Sequence, residues 1–173
     1  MLPKLTFVLG GAASGKSAWA ENLLLTSDLD PVYIATSRAF DDEIKNKIAV
    51  HQSRRNDLWT TIEADLDLKP ALDQSNSTQL VLIDCATMWL TNHMLDGHDI
   101  AHETTKLLTA LRSADASIVI VSNEVGHGIV PENKLARAFR EAQGRLNIAL
   151  AAQADMAVMI TAGLPQVLKG NLP

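Results

Sequence analysis

Eight residues near the start of the chain carry its strongest chemical signal. Gly10-Gly11-Ala12-Ala13-Ser14-Gly15-Lys16-Ser17 matches the spacing G-x-x-x-x-G-K-[ST] in full. Glycines at those places let the backbone curl until successive N–H groups point into one concavity, and a helix starting there adds positive partial charge. Such a concavity suits phosphate groups. Lys16 would reach the β- and γ-phosphates of a nucleotide, and the Ser17 hydroxyl could ligate Mg²⁺. The usual companion is an acidic residue closing a buried strand, and Leu80-Val-Leu-Ile-Asp84 supplies one. A carboxylate there is costly unless something pairs it. A hydrated Mg²⁺ would pair it, and so would the free N–H groups of a following helix.

These residues need a frame, and the chain alternates strand-length apolar runs with helix-like segments throughout. Leu5–Leu9, Val32–Thr36, Trp59–Ile62, Leu80–Asp84, Ser117–Ser122 and Ala157–Thr161 are the strand candidates. Several are unbroken apolar runs, the pattern of strands covered on both faces, so the spacing predicts an α/β fold with a mainly parallel sheet flanked by helices. The motif fits this frame, following the first strand and preceding a helix through Trp19, Ala20 and Leu23. The clearest helix runs from Glu132 to about Ala154, with Leu135, Phe139, Ala142, Leu146, Ala149 and Gln153 on one stripe. Another covers about Asp42 to Arg55, and Asp28–Pro31 and Asp96–Asp99 are expected as turns.

That second helix holds a further candidate. Ile44, Ile48, His51 and Arg55 recur at steps of three or four, so an apolar face turns into His and Arg. From spacing alone His51 is either a half-buried histidine at the core's edge or a neutral imidazole able to attack phosphorus beside arginine charge. Asn123-Glu-Val-Gly126-His-Gly128-Ile-Val-Pro131-Glu-Asn133 leaves the carboxyl end of a strand, where open α/β sheets bind ligands. It is either a site loop or a plain connection. His93, His98 and His102 are too dispersed for an obvious ligand pair.

Composition narrows the classes. With 173 residues, 47 % hydrophobic and 20 % charged, the chain is expected to form one globular domain over residues 1–173. A net charge of −5 argues against a nucleic-acid or anionic-membrane binder. A lone Cys85 and the lack of a leader-like or membrane-spanning apolar run point to a cytoplasmic protein.

Assembled, these segments resemble the bifunctional adenosylcobinamide kinase / adenosylcobinamide-phosphate guanylyltransferase family. The pieces are Gly10–Ser17, Tyr33-Ile-Ala-Thr-Ser37, Asp42-Glu43 leading to Ile48, His51, Arg55 and Trp59, then Thr61-Ile-Glu63 and Val81-Leu-Ile-Asp-Cys85 with Trp89-Leu-Thr-Asn92. Asn123–Asn133 and the helix through Leu135–Arg140 and Gly144–Asn147 complete it. The phosphate motif is common. The His-x-x-x-Arg-x-x-x-Trp segment combined with the Asn-Glu-Val-Gly stretch is far more specific.

The resemblance implies a P-loop NTPase-type, RecA-like fold and two reactions. ATP or GTP would phosphorylate the aminopropanol hydroxyl of adenosylcobinamide, and GMP would then pass from GTP to that phosphate through a guanylylated histidine at His51. Nucleotide contacts would come from Gly10 to Ser17, from Ala35, Thr36 and Ser37, from Gln52, Ser53, Arg54 and Arg55, and from Glu63 and Asp84, with Mg²⁺ on Ser17 and Asp84. A homotrimer is also implied. His127 and Ala13 depart from the family's usual pattern, which favours an apolar and a basic residue there. The competing readings are a small-molecule kinase without guanylyl transfer and a nucleotide-dependent switch.

Overall fold

The computed structural model describes residues 2–38 and 59–173. Among them the chain forms β1 (Leu5–Gly10), α1 (Lys16–Leu25), β2 (Asp30–Ala35), β3 (Thr60–Glu63), α2 (Lys69–Asp73) and β4 (Gln79–Asp84). There follow α3 (Ala86–Leu95), α4 (Ile100–Ser113), β5 (Ser117–Asn123), α5 (Lys134–Gln153), β6 (Met156–Thr161) and β7 (Leu164–Lys169). The strands make one sheet in the order β3-β2-β4-β5-β1-β6-β7, parallel except for β7, which returns antiparallel to β6.

Alternation along each central strand sends side chains to two cores. Phe7, Val32, Ile34, Val81, Ile83, Ile118 and Ile120 face Trp89, Leu90, Leu107, Leu111, Leu146 and Leu150 from α3, α4 and α5. Val8, Tyr33, Leu80, Leu82, Val119, Val121 and Val158 face Ala20, Leu23 and Leu24 of α1. Strands covered on both faces have no polar register to keep, so their sequences are continuously apolar.

All six expected strands form, with shifted ends. The turn expected at Asp28–Pro31 is shorter, because Asp30 and Pro31 already pair with Gln79 and Leu80. The turn at Asp96–Asp99 separates α3 from α4, and Asp99 caps α4 by accepting from the N–H groups of Ala101 and His102. The long helix begins later than expected, at Lys134, because Asn133 accepts from the Ala136 N–H at 3.1 Å and fixes the boundary. Leu135, expected on the buried stripe, is 60 % exposed. A helix of this length spans about 30 Å against about 20 Å for the strands beneath it, so its first turn overhangs the sheet. The helix expected over Asp42 to Arg55 lies outside the described residues.

The dispersed histidines include a pair. His93 Nδ1 and His98 Nδ1 lie 2.9 Å apart, and His93 Nε2 is 3.3 Å from the Leu66 carbonyl. A carbonyl only accepts, so Nε2 of His93 carries hydrogen, and the short Nδ1 contact then has room for one proton. Burial holds His93 below its ordinary value of 6.5. The unfolded chain therefore takes up a proton there before the folded chain does, and stability falls as pH drops from about 6.5 towards the depressed folded value. Melting temperatures between pH 8 and pH 5 check this: His93→Gln is expected to flatten the acid limb relative to wild type.

Candidate active site

The sheet order decides which residues meet. β5 lies between β1 and β4, with Gly10 opposite Asn123 and Val121 opposite Asp84. Ala35 stands opposite both Asp84 and Glu63. The phosphate loop, Asn123, Asp84, Ala35 and Glu63 therefore share one rim, at the carboxyl ends of the parallel strands, where doubly wound sheets bind ligands.

The loop is built as its sequence requires. A Cβ on Gly10 would lie 2.4 Å from Ser14 Oγ and 2.8 Å from the Ile160 carbonyl, so only glycine fits. Gly15 caps α1 at φ 92°, a left-handed backbone that glycine adopts without penalty. Ala13 also has positive φ, at 54°. The Ser14 N–H donates to the Gly11 carbonyl at 3.3 Å, and Lys16 Nζ donates to the same carbonyl at 3.1 Å. The Lys16 ammonium thus lies folded over the loop, and Ser17 sits beside it in the first turn of α1.

At the end of β4 the Tyr33 hydroxyl donates to Asp84 Oδ2 at 3.2 Å, and Trp59 meets the Tyr33 ring edge-on with centroids 6.4 Å apart. This offsets part of the cost of a carboxylate closing a buried strand. Ser17 and Asp84 offer oxygen donors only, the chemistry a hard cation prefers. Among the described residues no group of three or more His, Cys, Asp or Glu side chains could hold a metal by itself. That fits Mg²⁺, which binds through one or two protein oxygens while the substrate's phosphates supply others.

The neighbouring residues are committed to structure. Thr36 is fully buried, and its hydroxyl both donates to the Cys85 carbonyl and accepts from the Cys85 N–H, each at 2.8 Å. The Thr36 N–H donates to the Asp84 carbonyl at 3.3 Å, so the residue ties the end of β2 to the end of β4. Burial, with Asp84 charge beside it, pushes the Cys85 thiol up to about 11, so it stays protonated at neutral pH.

Asn92 ties the rim from below, donating from Nδ2 to the Thr36 carbonyl at 2.8 Å and the Asp65 carbonyl at 2.9 Å. Arg38 completes the tie with a bidentate pair to Asp96 at 2.9 and 3.0 Å and a further bond from Nε to Asp65. The guanidinium holds both carboxyls below the ordinary carboxylate range. Asn92→Leu removes the donor from two carbonyls at once. The expected loss of unfolding free energy is about 2–6 kcal/mol, given about 1–3 kcal/mol for each of the two carbonyls left unpaired, and urea denaturation measures it.

The loop after β5 is also anchored. Asn147 Nδ2 donates to the Asn123 carbonyl at 3.1 Å, and its Oδ1 accepts from Ser122 Oγ at 2.7 Å and Gln143 Nε2 at 2.9 Å. The Glu124 N–H donates to the Gly10 carbonyl at 3.0 Å, which binds this loop to the phosphate loop. Ile129 (96 % exposed) and Val130 (65 %) then project outward. From the sequence Tyr33, Asn92 and Asn147 enter only as pieces of the family resemblance, without the rim and anchoring parts they take here, and Arg38 and Gln143 do not enter at all. Gln143 falls at helical steps of four and three from Phe139 and Leu146, and a polar residue on that apolar face is the signal that could have found it.

His51, Gln52, Ser53, Arg54 and Arg55, expected as the nucleophile and its neighbours, lie outside the described residues.

A RecA-like P-loop NTPase fold with a complete phosphate loop on its rim defines the class: a nucleotide-binding α/β protein. Two solved structures share this fold. A Pyrococcus horikoshii protein described as Project ID PH0250 covers 97 % of this chain and 87 % of its own, at TM-score 0.58 and 8 % identity. The flagellar accessory protein FlaH from Methanocaldococcus jannaschii covers 96 % and 78 %, at TM-score 0.51 and 14 % identity. The particular family follows from sequence. The model of the family "Cobinamide kinase / cobinamide phosphate guanyltransferase" matches residues 6–168, and the chain belongs to that family. The bifunctional adenosylcobalamin biosynthesis protein CobP of Pseudomonas aeruginosa is 40 % identical over 167 residues, covering 95 % of this chain and 96 % of that protein. The corresponding CobU of Escherichia coli K12 is 37 % identical over 181 residues, covering 95 % and 99 %.

Proposed function

We propose that this chain carries both reactions of its family on a single domain with one nucleotide site. The supporting observation is that the described residues build one complete phosphate loop, beside Asp84, in a chain matched by the family from residue 6 to residue 168. In the first reaction the aminopropanol hydroxyl of adenosylcobinamide attacks the γ-phosphorus of ATP or GTP. The O–P bond forms, the bond to the β-phosphate oxygen breaks, and the nucleoside diphosphate departs. In the second, an imidazole nitrogen of His51 attacks the α-phosphorus of GTP and pyrophosphate leaves. A phosphate oxygen of adenosylcobinamide phosphate then displaces the histidine, giving adenosylcobinamide-GDP.

The loop N–H groups and Lys16 stabilise charge on the β- and γ-phosphates, which form the leaving group in one reaction and contain the reacting centre in the other. Ser17 and Asp84 would hold Mg²⁺, whose charge neutralises the phosphates when bound. Ala35, Ser37, Glu63 and residues 52–55 would contact the nucleotide. The guanylyl-histidine requires a neutral imidazole, the prevailing form of an unperturbed histidine at neutral pH.

No helix among the described residues is long and apolar enough to cross a membrane. With one buried thiol and water-soluble substrates, a cytoplasmic location is our reading. The family resemblance favours a homotrimer, and exposed Ile129, Val130, Leu135 and Ile148 give it apolar surface to cover.

Labelled GTP tests the covalent step. After incubation with Mg²⁺ and denaturation in alkali, label from the α position should stay on the chain and be released by acid, as a phosphoramidate requires. Label from the γ position should not stay. A chain that binds GTP and retains no α label would leave a plain kinase as the better reading.

A further inference from the structure

Strand β7 contributes little to either core, with Leu164 71 % exposed and Leu168 55 % exposed. Its consequence for the site lies in the two-residue turn that joins it to β6. Thr161 pairs with Leu164, and between them Ala162 (φ 52°) and Gly163 (φ 78°) both take the left-handed backbone. Glycine adopts that conformation freely and alanine does not, so Ala162 is held there against its preference.

The turn rests on the phosphate loop. The Gly163 N–H donates to the Ser14 carbonyl at 2.8 Å. Gly15 approaches so closely that a Cβ on it would lie 3.0 Å from Gly163 Cα. Below them, the Ile160 carbonyl closes on Gly10. The β6–β7 hairpin therefore meets the loop at Gly10, Ser14 and Gly15, residues that lie about 150 positions away along the chain.

The hydrogen bond has a geometric consequence. In a trans peptide the carbonyl and the next N–H point in opposite directions. With the Ser14 carbonyl turned to Gly163, the Gly15 N–H of the same peptide points away from the hairpin. Amides aimed in that sense are what an anion-binding loop needs.

We propose that the Ala162–Gly163 turn is a positioning element for nucleotide binding: by holding the Ser14 carbonyl, it aims the Gly15 amide at the nucleotide phosphates. This rests on the phosphate-loop reading above and assigns the turn a task beyond closing a hairpin.

Calorimetric titration of the full chain with a non-hydrolysable GTP analogue and Mg²⁺ tests it. A Cβ at residue 163 meets nothing within 4 Å, so Gly163→Ala acts through the backbone alone, by opposing the positive φ, and Gly163→Val opposes it more strongly. It is expected to weaken Kd by about tenfold or more, the scale of one misaligned hydrogen bond to a charged group, and to raise the nucleotide KM more than it lowers kcat. Gly163→Asn, which tolerates the left-handed region, should stay close to wild type. Gly163→Ala should fall between them, and provides the same contrast should the valine variant not fold. Val158→Ala, in the core of β6, controls for general loss of stability and should bind as wild type does.

Folded Gly163→Val and Gly163→Ala variants that bind like wild type would overturn the proposal, as would a Val158→Ala variant weakened equally. A wild-type chain that takes up no nucleotide would remove the phosphate site itself, and the turn's task with it.

Discussion

Lys16→Ala should lower both transfers together by about 10²–10³-fold while leaving the fold intact. The ammonium's recorded hydrogen bond is to the Gly11 carbonyl within its own loop, and its side chain is half-buried at the start of α1. Removing it costs the core nothing, so melting should move by no more than a surface substitution does, about 0.5 kcal/mol. On the function proposed above its charge serves the phosphates: in phosphoryl transfer it would offset charge around the γ-phosphorus, and in guanylyl transfer charge gathering on pyrophosphate as the α–β bond breaks. Loss of one preorganised donor at developing charge lowers kcat by about 10²–10³-fold, and both activities should fall by that order. Lys16→Arg should not restore them, because a planar guanidinium does not replace a compact ammonium in a tight backbone loop. Separate assays of cobinamide phosphorylation and of pyrophosphate release from GTP would decide. If one activity drops and the other persists, the two reactions do not share this site.

Which parts of this arrangement a reader of the sequence could reach depends on how local their causes are. The phosphate loop was legible because its constraints lie within eight residues: Gly10 must admit Ser14, Gly15 must take positive φ, and Lys16 and Ser17 must open a helix. The central strands were legible because burial on both faces makes them apolar without interruption, as in Leu80–Ile83 and Ile118–Val121. Asp84 was legible as a charge ending such a run, and its place on the loop's rim then follows from the strand order.

Contacts between distant segments were not legible. Strand β7 carries no alternation, because both its faces are largely exposed, and Ala162-Gly163 lacks the Asn or Asp that usually announces a tight hairpin. Helix α3 starts at Ala86, and Cys85 before it makes no side-chain cap, so nothing local marks its beginning. His93 and His98 meet because the chain turns at Asp96–Gly97, and their spacing of five residues fits no single helical face. Asn92, Gln143 and Asn147 are buried polar groups that reach the Thr36 carbonyl, the Ser122 hydroxyl and the Asn123 carbonyl, and only the assembled sheet shows what they hold. In the sequence Asn92 and Asn147 stand only as pieces of the family resemblance, with nothing local to show what they anchor.

His51→Ala should separate the two reactions, whereas Lys16→Ala should lower both. His51 lies outside the described residues, so the expectation rests on the family resemblance and on the chemistry each step demands. Guanylyl transfer by way of a covalent intermediate needs a nucleophile at the α-phosphorus, and alanine supplies none. Loss of a covalent nucleophile lowers turnover by about 10⁴-fold or more in enzymes where it has been isolated, and adenosylcobinamide-GDP formation should fall on that scale. Alkali-stable label from α-labelled GTP should vanish with it. Phosphorylation of the aminopropanol hydroxyl requires only that nucleotide and hydroxyl be positioned around the γ-phosphorus, so it should persist and its product should accumulate. The ratio of adenosylcobinamide phosphate to adenosylcobinamide-GDP in one reaction mixture reads the separation directly, and it is insensitive to how much protein is folded. A variant that keeps guanylyl transfer and loses phosphorylation would assign the imidazole to the γ-phosphate instead. Equal loss of both, in a chain that still binds GTP, would make His51 part of the shared nucleotide site and leave the guanylyl acceptor to another residue.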